Sequence, residues 1–501
     1  MTIAKSFMLG TAAGLVALTG AQAADLPVKA KAVEYVKVCS LYGVGFYYIP
    51  GTDTCIRIGG ALRLDTSFNA TTYDVPYWQG SANGAGAYNR NYYSTRERLN
   101  LFIDTRTATE YGVVRTYANL QFDFAQGREN IAGGFVENDF LFIQFAGFTF
   151  GKAVSQFDPQ WALAKPFISS GFLAGSNNAT GIAQLAYTAS FGGGVSATIS
   201  LEDAQPYRSA GVVNTSLGGT NALLGPFGTS ASNYGTSGNN FQGNAQGGDH
   251  VPDIVGNVRL DQAWGSLQVA AAAHEVHGTY YTPTDSSSGH PDSTWGYAVS
   301  GAFELKNLPT GVGDSLKVEA SFANGAAKYV FGGTYDTTGA GRFAAIGGGG
   351  MAFGYVLDGV YGTGTNIIKS NAWEVSGFYE HYWNPAWRTS VFASYSAISY
   401  GSSGDALLLA MANGGRLSTG VTNATGSFDF AVAQVGTRTA WTPVQNLTLS
   451  AEFIYSRLNQ NLNGTFTSTV AGTPAGSPAG TVFTLKDQNL YNGSVQILRS
   501  F

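Results

Sequence analysis

The sequence predicts an all-β fold, a transmembrane up-and-down antiparallel β-barrel of about 16 strands. Three observations lead there. Apolar and polar residues alternate in recurring segments of about ten residues. The connections between segments alternate between short and long. Beyond the amino terminus, no apolar run approaches the ~20 residues that a membrane-spanning helix needs.

The alternation is plain in CIRIGGALRLDTSF. Ile56, Ile58, Leu62, Leu64 and Phe68 fall on one face, and Arg57, Arg63 and Asp65 fall on the other. In STRERLNLFIDT, Arg96, Arg98 and Asn100 oppose Leu99, Leu101 and Ile103. In VVRTYANLQFDF, Arg115, Asn119, Gln121 and Asp123 oppose Val114, Leu120 and Phe122. A period of two belongs to a strand whose two sides meet different surroundings. Such segments start near residues 55, 94, 111, 135, 148, 181, 195, 251, 265, 294, 315, 371, 387, 426, 447 and 484.

The short links include GGG at Gly192–Gly194, AWG at Ala263–Gly265, WNPA at Trp383–Ala386 and TPVQN at Thr442–Asn446. Between them lie long stretches rich in Gly, Ser, Thr and Asn: Asp203–His250, His277–Ser293, Asn324–Ser370, Gly401–Thr425 and Asn459–Gly480. Short turns on one rim and long loops on the other fit a sheet whose two ends face different compartments.

Composition separates the possible surroundings. Charged residues make up 12% of the chain and aromatics 13%, and that charged share is about half of what a soluble protein carries. A soluble β-sandwich would bury its apolar faces in a core of bulky side chains. Here those faces are interrupted by Ala, Gly and Thr, and no linker divides the chain. A closed barrel in hydrocarbon satisfies its backbone internally and turns its oily face to lipid. Tyr187, Phe191, Trp264, Trp295, Trp373, Trp383, Trp387 and Trp441, near strand ends, suit aromatic belts at the interfaces.

The amino terminus predicts an export signal at residues 1–23. Lys5 is the basic start, FMLGTAAGLVALTG the short apolar core and Ala21–Ala23 the cleavage site. Its removal leaves 26 basic and 32 acidic residues, a net charge of −6, which gives no reason to expect nucleic acid as a partner. The two cysteines, Cys39 and Cys55, then lie in an oxidising compartment, where a disulfide is expected. That bond would tie down residues 24–54, ahead of a barrel spanning 55–501.

The chain ends in YNGSVQILRSF. A final strand closing on Phe501 resembles the carboxy-terminal signal of outer-membrane barrels, although Arg499 stands where a hydrophobic residue is usual. The stretch EYVKVCSLYGVGFYYIPGTDTCIRIGG, Glu34–Gly60, resembles the amino-terminal signature of the alphaproteobacterial porin family. FIQFAGFTFGK at Phe142–Lys152, PDIVGNVRLDQAWGS at Pro252–Ser266 and VGTRTAWTPV at Val435–Val444 are similar to later blocks of that family. The resemblance implies a sixteen-stranded barrel in the bacterial outer membrane, among lipid and lipopolysaccharide. It also implies a homotrimer that passes small hydrophilic solutes and ions, without a cofactor. By the same likeness the third long loop, Ser155–Thr180, folds into the barrel and narrows it. That loop carries Phe157, Trp161, Phe167 and Phe172 but few charges, only Asp158 and Lys165.

The expected pore-lining set is Arg57, Arg63, Asp65, Arg96, Arg98, Arg115, Asp158, Arg259 and Arg438. Five of these arginines fall on the polar faces of the first three segments and form one positive wall sector. Asp158, Glu304, Glu319, Glu374, Glu380 and Glu452 are the acids that could oppose it. An acid-poor loop leaves that sector under-compensated, so a mild anion preference is expected. A channel dedicated to one solute class is the alternative reading; a barrel hydrolase and a purely structural barrel are remoter ones. No metal set emerges: His274 and His277 are three apart in a strand-like stretch and point to opposite faces. GGGG at Gly347–Gly350 has no strand–helix context for a phosphate cradle.

Overall fold

The computed structural model describes residues 37–70, 92–125, 135–169, 171–176, 180–203, 210–216, 245–282, 284–332, 342–414, 421–467 and 478–501. The expected export segment, 1–23, lies outside them. Sixteen strands form the barrel. They are β1 (Thr54–Phe68), β2 (Tyr93–Thr109), β3 (Gly112–Ala125), β4 (Phe135–Phe145), β5 (Phe148–Ala153), β6 (Ile182–Gly192), β7 (Val195–Glu202) and β8 (Asp253–Gln262). They continue as β9 (Gly265–Val276), β10 (Thr294–Lys306), β11 (Ser315–Asn324), β12 (Asn371–Asn384), β13 (Trp387–Ser399), β14 (Val421–Val444), β15 (Leu447–Thr467) and β16 (Gln488–Ser500). The starts agree with the sequence pattern to within a few residues; β14 begins earlier, and a short strand, Val482–Leu485, precedes β16.

Each strand pairs antiparallel with the next, and β1 closes the ring on β16, from Ala61 opposite Ser500 to Phe68 opposite Gly493. The glycine pair in β1 serves that closure. Gly60 exchanges backbone hydrogen bonds with Phe501 at 3.1 and 3.0 Å. A Cβ on Gly60 would lie 2.2 Å from the Asn100 carbonyl oxygen and 2.9 Å from the Phe501 ring. Arg499 reaches the Gln445 carbonyl at the short-turn rim, so its charge leaves the apolar belt, as a long cationic side chain can.

The two faces differ as the alternation requires. Ile58, Leu62, Leu64, Phe68, Leu185, Ile199, Leu201, Leu267 and Val269 are exposed, while their neighbours Asp65, Ser67, Gln184, Ser200, Glu202 and Gln268 are buried. A continuous aliphatic belt around the outside is stable in acyl chains and a liability in water. Aromatic residues bound the belt. Phe191, Trp264, Trp383, Trp387 and Trp441 lie at the short-turn rim, where Trp387 and Trp441 stack at 5.6 Å. Trp295 and Trp373 lie at the start of β10 and β12, on the long-loop rim.

The interior departs from the sequence expectation in one respect. The sixth long loop, read as a polar stretch, builds a buried hairpin, Arg342–Gly347 paired with Gly350–Tyr355. Its turn uses Gly348 and Gly349 at φ 54° and 70°, a left-handed backbone that favours glycine. Leu357–Tyr361 then pairs in parallel with Gly211–Asn214 of the fourth loop. The seventh loop carries a helix, α1 (Gly401–Asn413). Phe331, Phe343 and Phe430 meet at 5.6 to 5.9 Å in the midst of this material. They share one apolar core with Leu408 of α1 and with Val255, Ala270, Ala298, Ala323, Ile398, Val432 and Leu458 of the strands. The inner wall is therefore apolar and packed over this sector, rather than polar throughout.

Candidate permeation site

The third long loop leaves β5 at Val154 and crosses the inside of the barrel along a row of polar side chains. Glu202 of β7 accepts from the Ser155 hydroxyl at 2.7 Å and the Gln156 amide at 2.8 Å. Asn257 of β8 donates to the Gln156 carbonyl at 2.6 Å, and Gln268 of β9 to that of Asp158 at 2.9 Å. Lys317 of β11 donates to the Ala164 carbonyl at 3.0 Å, and Ser390 of β13 to that of Pro166 at 2.6 Å. Glu452 of β15 accepts the Ile168 and Ser169 amides at 2.5 and 3.0 Å, and Gln434 of β14 accepts the Leu173 amide at 2.8 Å. An aromatic cluster locks the middle of the path, with Phe167 and Phe172 against Phe378 of β12 and Phe392 of β13 at 4.9 to 6.0 Å. The loop therefore lies against the wall from β7 round to β15, with wall side chains meeting backbone groups along its length.

Across from it stand β1, β2 and β3. Among the described residues, Arg63 reaches the loop: its guanidinium donates to the Ile168 carbonyl at 3.3 Å. Arg63 lies opposite Arg98, Arg57 opposite Asp104, and Arg106 opposite Arg115 in the ladders. Aspartates hold these cations in place. Asp65 meets Arg63 at 2.6 Å and Arg96 at 2.9 Å. Asp123 meets Arg98 at 2.7 Å, and Asp104 meets both Arg106 and Arg115 at 3.0 Å. Arg57 is exposed and lies over the Phe46 and Phe102 rings at 5.9 and 5.0 Å. The sector thus sets six arginines against three aspartates on its inner face.

The expected site residues separate into three groups. Arg57, Arg63, Asp65, Arg96, Arg98 and Arg115 form one connected wall patch, within which Arg96 is only 2% exposed. Arg259 of β8 pairs with Asp261 at 2.6 Å, and Arg438 of β14 pairs with Glu380 of β12 at 2.7 Å, so both lie in other sectors. Asp158 stands apart from the arginines: it is 4% exposed, buried between the loop and the wall. Burial and the neighbouring Glu319 push its carboxyl up to about 8, so it is largely neutral at pH 7. In the sequence Glu452 is read as an acid that could oppose the arginines, and Glu202, Gln268 and Gln434 are only inward polar positions; nothing in the pattern marks the four as backbone acceptors and donors.

Cys39 and Cys55 are joined. Phe46, Tyr42 and Tyr48 pack on the bond, and Phe46 lies under both Arg57 and Arg106. Residues 37–53 are therefore tied beside the arginine sector near the short-turn rim.

A sequence profile described as a porin subfamily matches residues 25–494. The chain belongs to that porin family. Porin Omp2b of Brucella suis biovar 1 is 32% identical over 281 residues, covering 54% of this chain and 66% of the relative, just under two thirds. Porin Omp2b of Brucella abortus (strain 2308) matches to the same extent. Among solved structures, the outer membrane channel DcaP of Acinetobacter baumannii superposes with a TM-score of 0.55 at 13% identity, over 91% of this chain and 99% of that one; this likeness concerns the fold. As a porin, the chain is a multi-pass β-barrel of the bacterial outer membrane.

Proposed function

We propose that this porin is a passive diffusion channel for small hydrophilic solutes and ions. The observation that carries the reading is the asymmetry of the bore. The third loop and the apolar core cover the inner wall from β7 to β15, whereas the inner face of β1–β3 is a patch of arginines and aspartates, from which Arg63 reaches the loop. The path left for a solute runs past Arg57, Arg63, Arg98 and Arg115. Guanidinium groups keep their charge at all working pH, and on these three strands six inward arginines stand with three inward aspartates. Such a wall favours anions at the narrows. Homotrimeric assembly, in contact with lipid and lipopolysaccharide, belongs to the same proposal and rests on the family resemblance.

Planar-bilayer recording across a salt gradient tests it. The expected result is ohmic conductance with a reversal potential on the anion side. No conductance, or a clear cation preference, rejects the corresponding part of the proposal. A channel dedicated to one solute class is the second reading, favoured by the packed core around Phe343 and Phe430, which narrows the bore. Saturable block by one solute class, absent for others of equal size, selects that reading.

A further inference from the structure

We propose that His250, Glu275 and His277 form a binding site for a divalent transition-metal ion at the outside of the long-loop rim. One donor atom from each residue lies within 4.8 Å of the other two. The set comes together through strand register. Ile254 of β8 pairs with Ala273 of β9, and continuing that register four steps, to three residues before β8 and one after β9, brings His250 opposite His277. Glu275 is two residues before His277, on the same outward face of β9. His274 and His277 do point apart, as the sequence predicts: His274 turns inward, where it meets Asp253 at 2.6 Å. The ring that faces His277 comes instead from His250, at the end of the fourth loop.

The backbone around the three residues is fixed. The Gly247 amide donates to the His277 carbonyl at 2.9 Å, and the Thr279 amide to that of Ala245 at 2.8 Å. The His250 amide donates to Glu275 at 3.0 Å. The two imidazole rings lie 4.1 Å apart between centroids. His277 Nδ1 meets the Ser293 hydroxyl at 2.7 Å, which orients the ring and leaves Nε2 for a metal, a usual outer partner for a ligating histidine. His250 is exposed and can rotate. Tetrahedral zinc places its donor atoms roughly 3.3 Å apart, a contraction within the reach of side-chain rotation.

Two imidazole nitrogens and one carboxylate oxygen suit Zn²⁺, Cu²⁺ or Ni²⁺. Ca²⁺ and Mg²⁺ prefer sets made of oxygen alone. Three protein ligands leave a further position for water. Glu275 pairs with Trp295 in the ladder to β10, so the site sits at the level of the aromatic belt on that rim. A metal bound there would staple the end of the fourth loop to the start of the fifth.

The test is calorimetric titration of the folded barrel in detergent with ZnCl₂, with excess Ca²⁺ and Mg²⁺ in parallel runs. One Zn²⁺ per chain is expected, uncontested by the other two ions. His250→Ala, His277→Ala and Glu275→Gln should each weaken binding at least about tenfold, and His290→Ala should not. Cu²⁺ loaded in place of zinc should show nitrogen splittings from two imidazoles in electron paramagnetic resonance. Folding of each variant is checked by heat-modifiable gel migration. If His277→Ala fails to fold, Ser293→Ala, which leaves all three ligands in place, should still lower affinity. Absence of saturable zinc binding, or binding unchanged in the folded histidine variants, overturns the proposal.

Discussion

Arg63 stands directly opposite Arg98 across the β1–β2 ladder, one cation facing another on the inner wall. Like charges in that relation destabilise a sheet. The pair persists because Asp65 and Asp123 lie beside it, at 2.6 Å from Arg63 and 2.7 Å from Arg98. The wall is therefore a lattice in which aspartates hold neighbouring arginines in place.

Asp65→Asn should weaken the barrel more than any single surface change. Asp65 and Arg96 are both almost fully buried, and removing one partner from a buried ion pair costs about 3–5 kcal/mol. The expected outcome is a lower midpoint for loss of the heat-resistant folded band, together with a stronger anion preference.

Arg57→Ala, Arg63→Ala and Arg98→Ala should each reduce anion preference without unfolding the barrel. One unit charge about 8 Å away in water stabilises an anion and destabilises a cation by ~0.5 kcal/mol each, so each change should lower the anion-to-cation permeability ratio about fivefold. Reversal potentials measured at low ionic strength give the largest signal.

Cys39→Ser should release the segment that holds Phe46 against Arg57 and Arg106. The bridge spans a sequence separation of 16 residues, and closing a loop of that size contributes about 3 kcal/mol. Single-channel conductance should rise, and protease should cut between residues 37 and 53 of the variant faster than in the parent.

Glu452→Ala should loosen the third loop at its far anchor. The carboxylate holds two loop amides, and each hydrogen bond to a charged group is worth about 1.5–3 kcal/mol. Current noise and mean conductance should both increase. A change in neither would show that the remaining anchors and the aromatic cluster suffice to hold the loop.

Asp158 gives the loop a pH dependence of known sign. Its folded value, about 8, lies above the ordinary value near 4, so the folded state retains a proton that the unfolded chain loses. The stabilisation is full below about pH 4 and is lost as pH rises towards about 8. The thermal midpoint of the parent should fall over pH 5 to 8, and Asp158→Asn should flatten that slope.

Much of the barrel was legible because each strand separates two solvents. Lipid outside and polar groups inside impose the period of two on CIRIGGALRLDTSF, and strand starts follow from it. The inner hairpin was illegible for the converse reason. FAAIGGGGMAFGY is buried on both faces, so it carries no alternation and reads as a glycine-rich loop. Helix α1 was hidden in the same way, in a stretch read as a loop. The adjacency of the arginines on one face was legible from the alternation of three neighbouring strands. The burial of Asp158 and Arg96 was not, since depth within the bore depends on where a distant loop lies down. The meeting of His250 with His277 follows the β8–β9 register carried beyond both strand ends, where no alternation marks it.

The seam where Gly60 meets Phe501 has a consequence for biogenesis. The first stave of the cylinder finds one of its two partners only after the ribosome has delivered the last, so the ring cannot shut while the chain is being made. Until then both margins carry unpaired amides that acyl chains will not tolerate. A polypeptide shortened by a dozen residues at its far end would keep nearly every contact and still be left with an open edge, as cargo for periplasmic proteolysis.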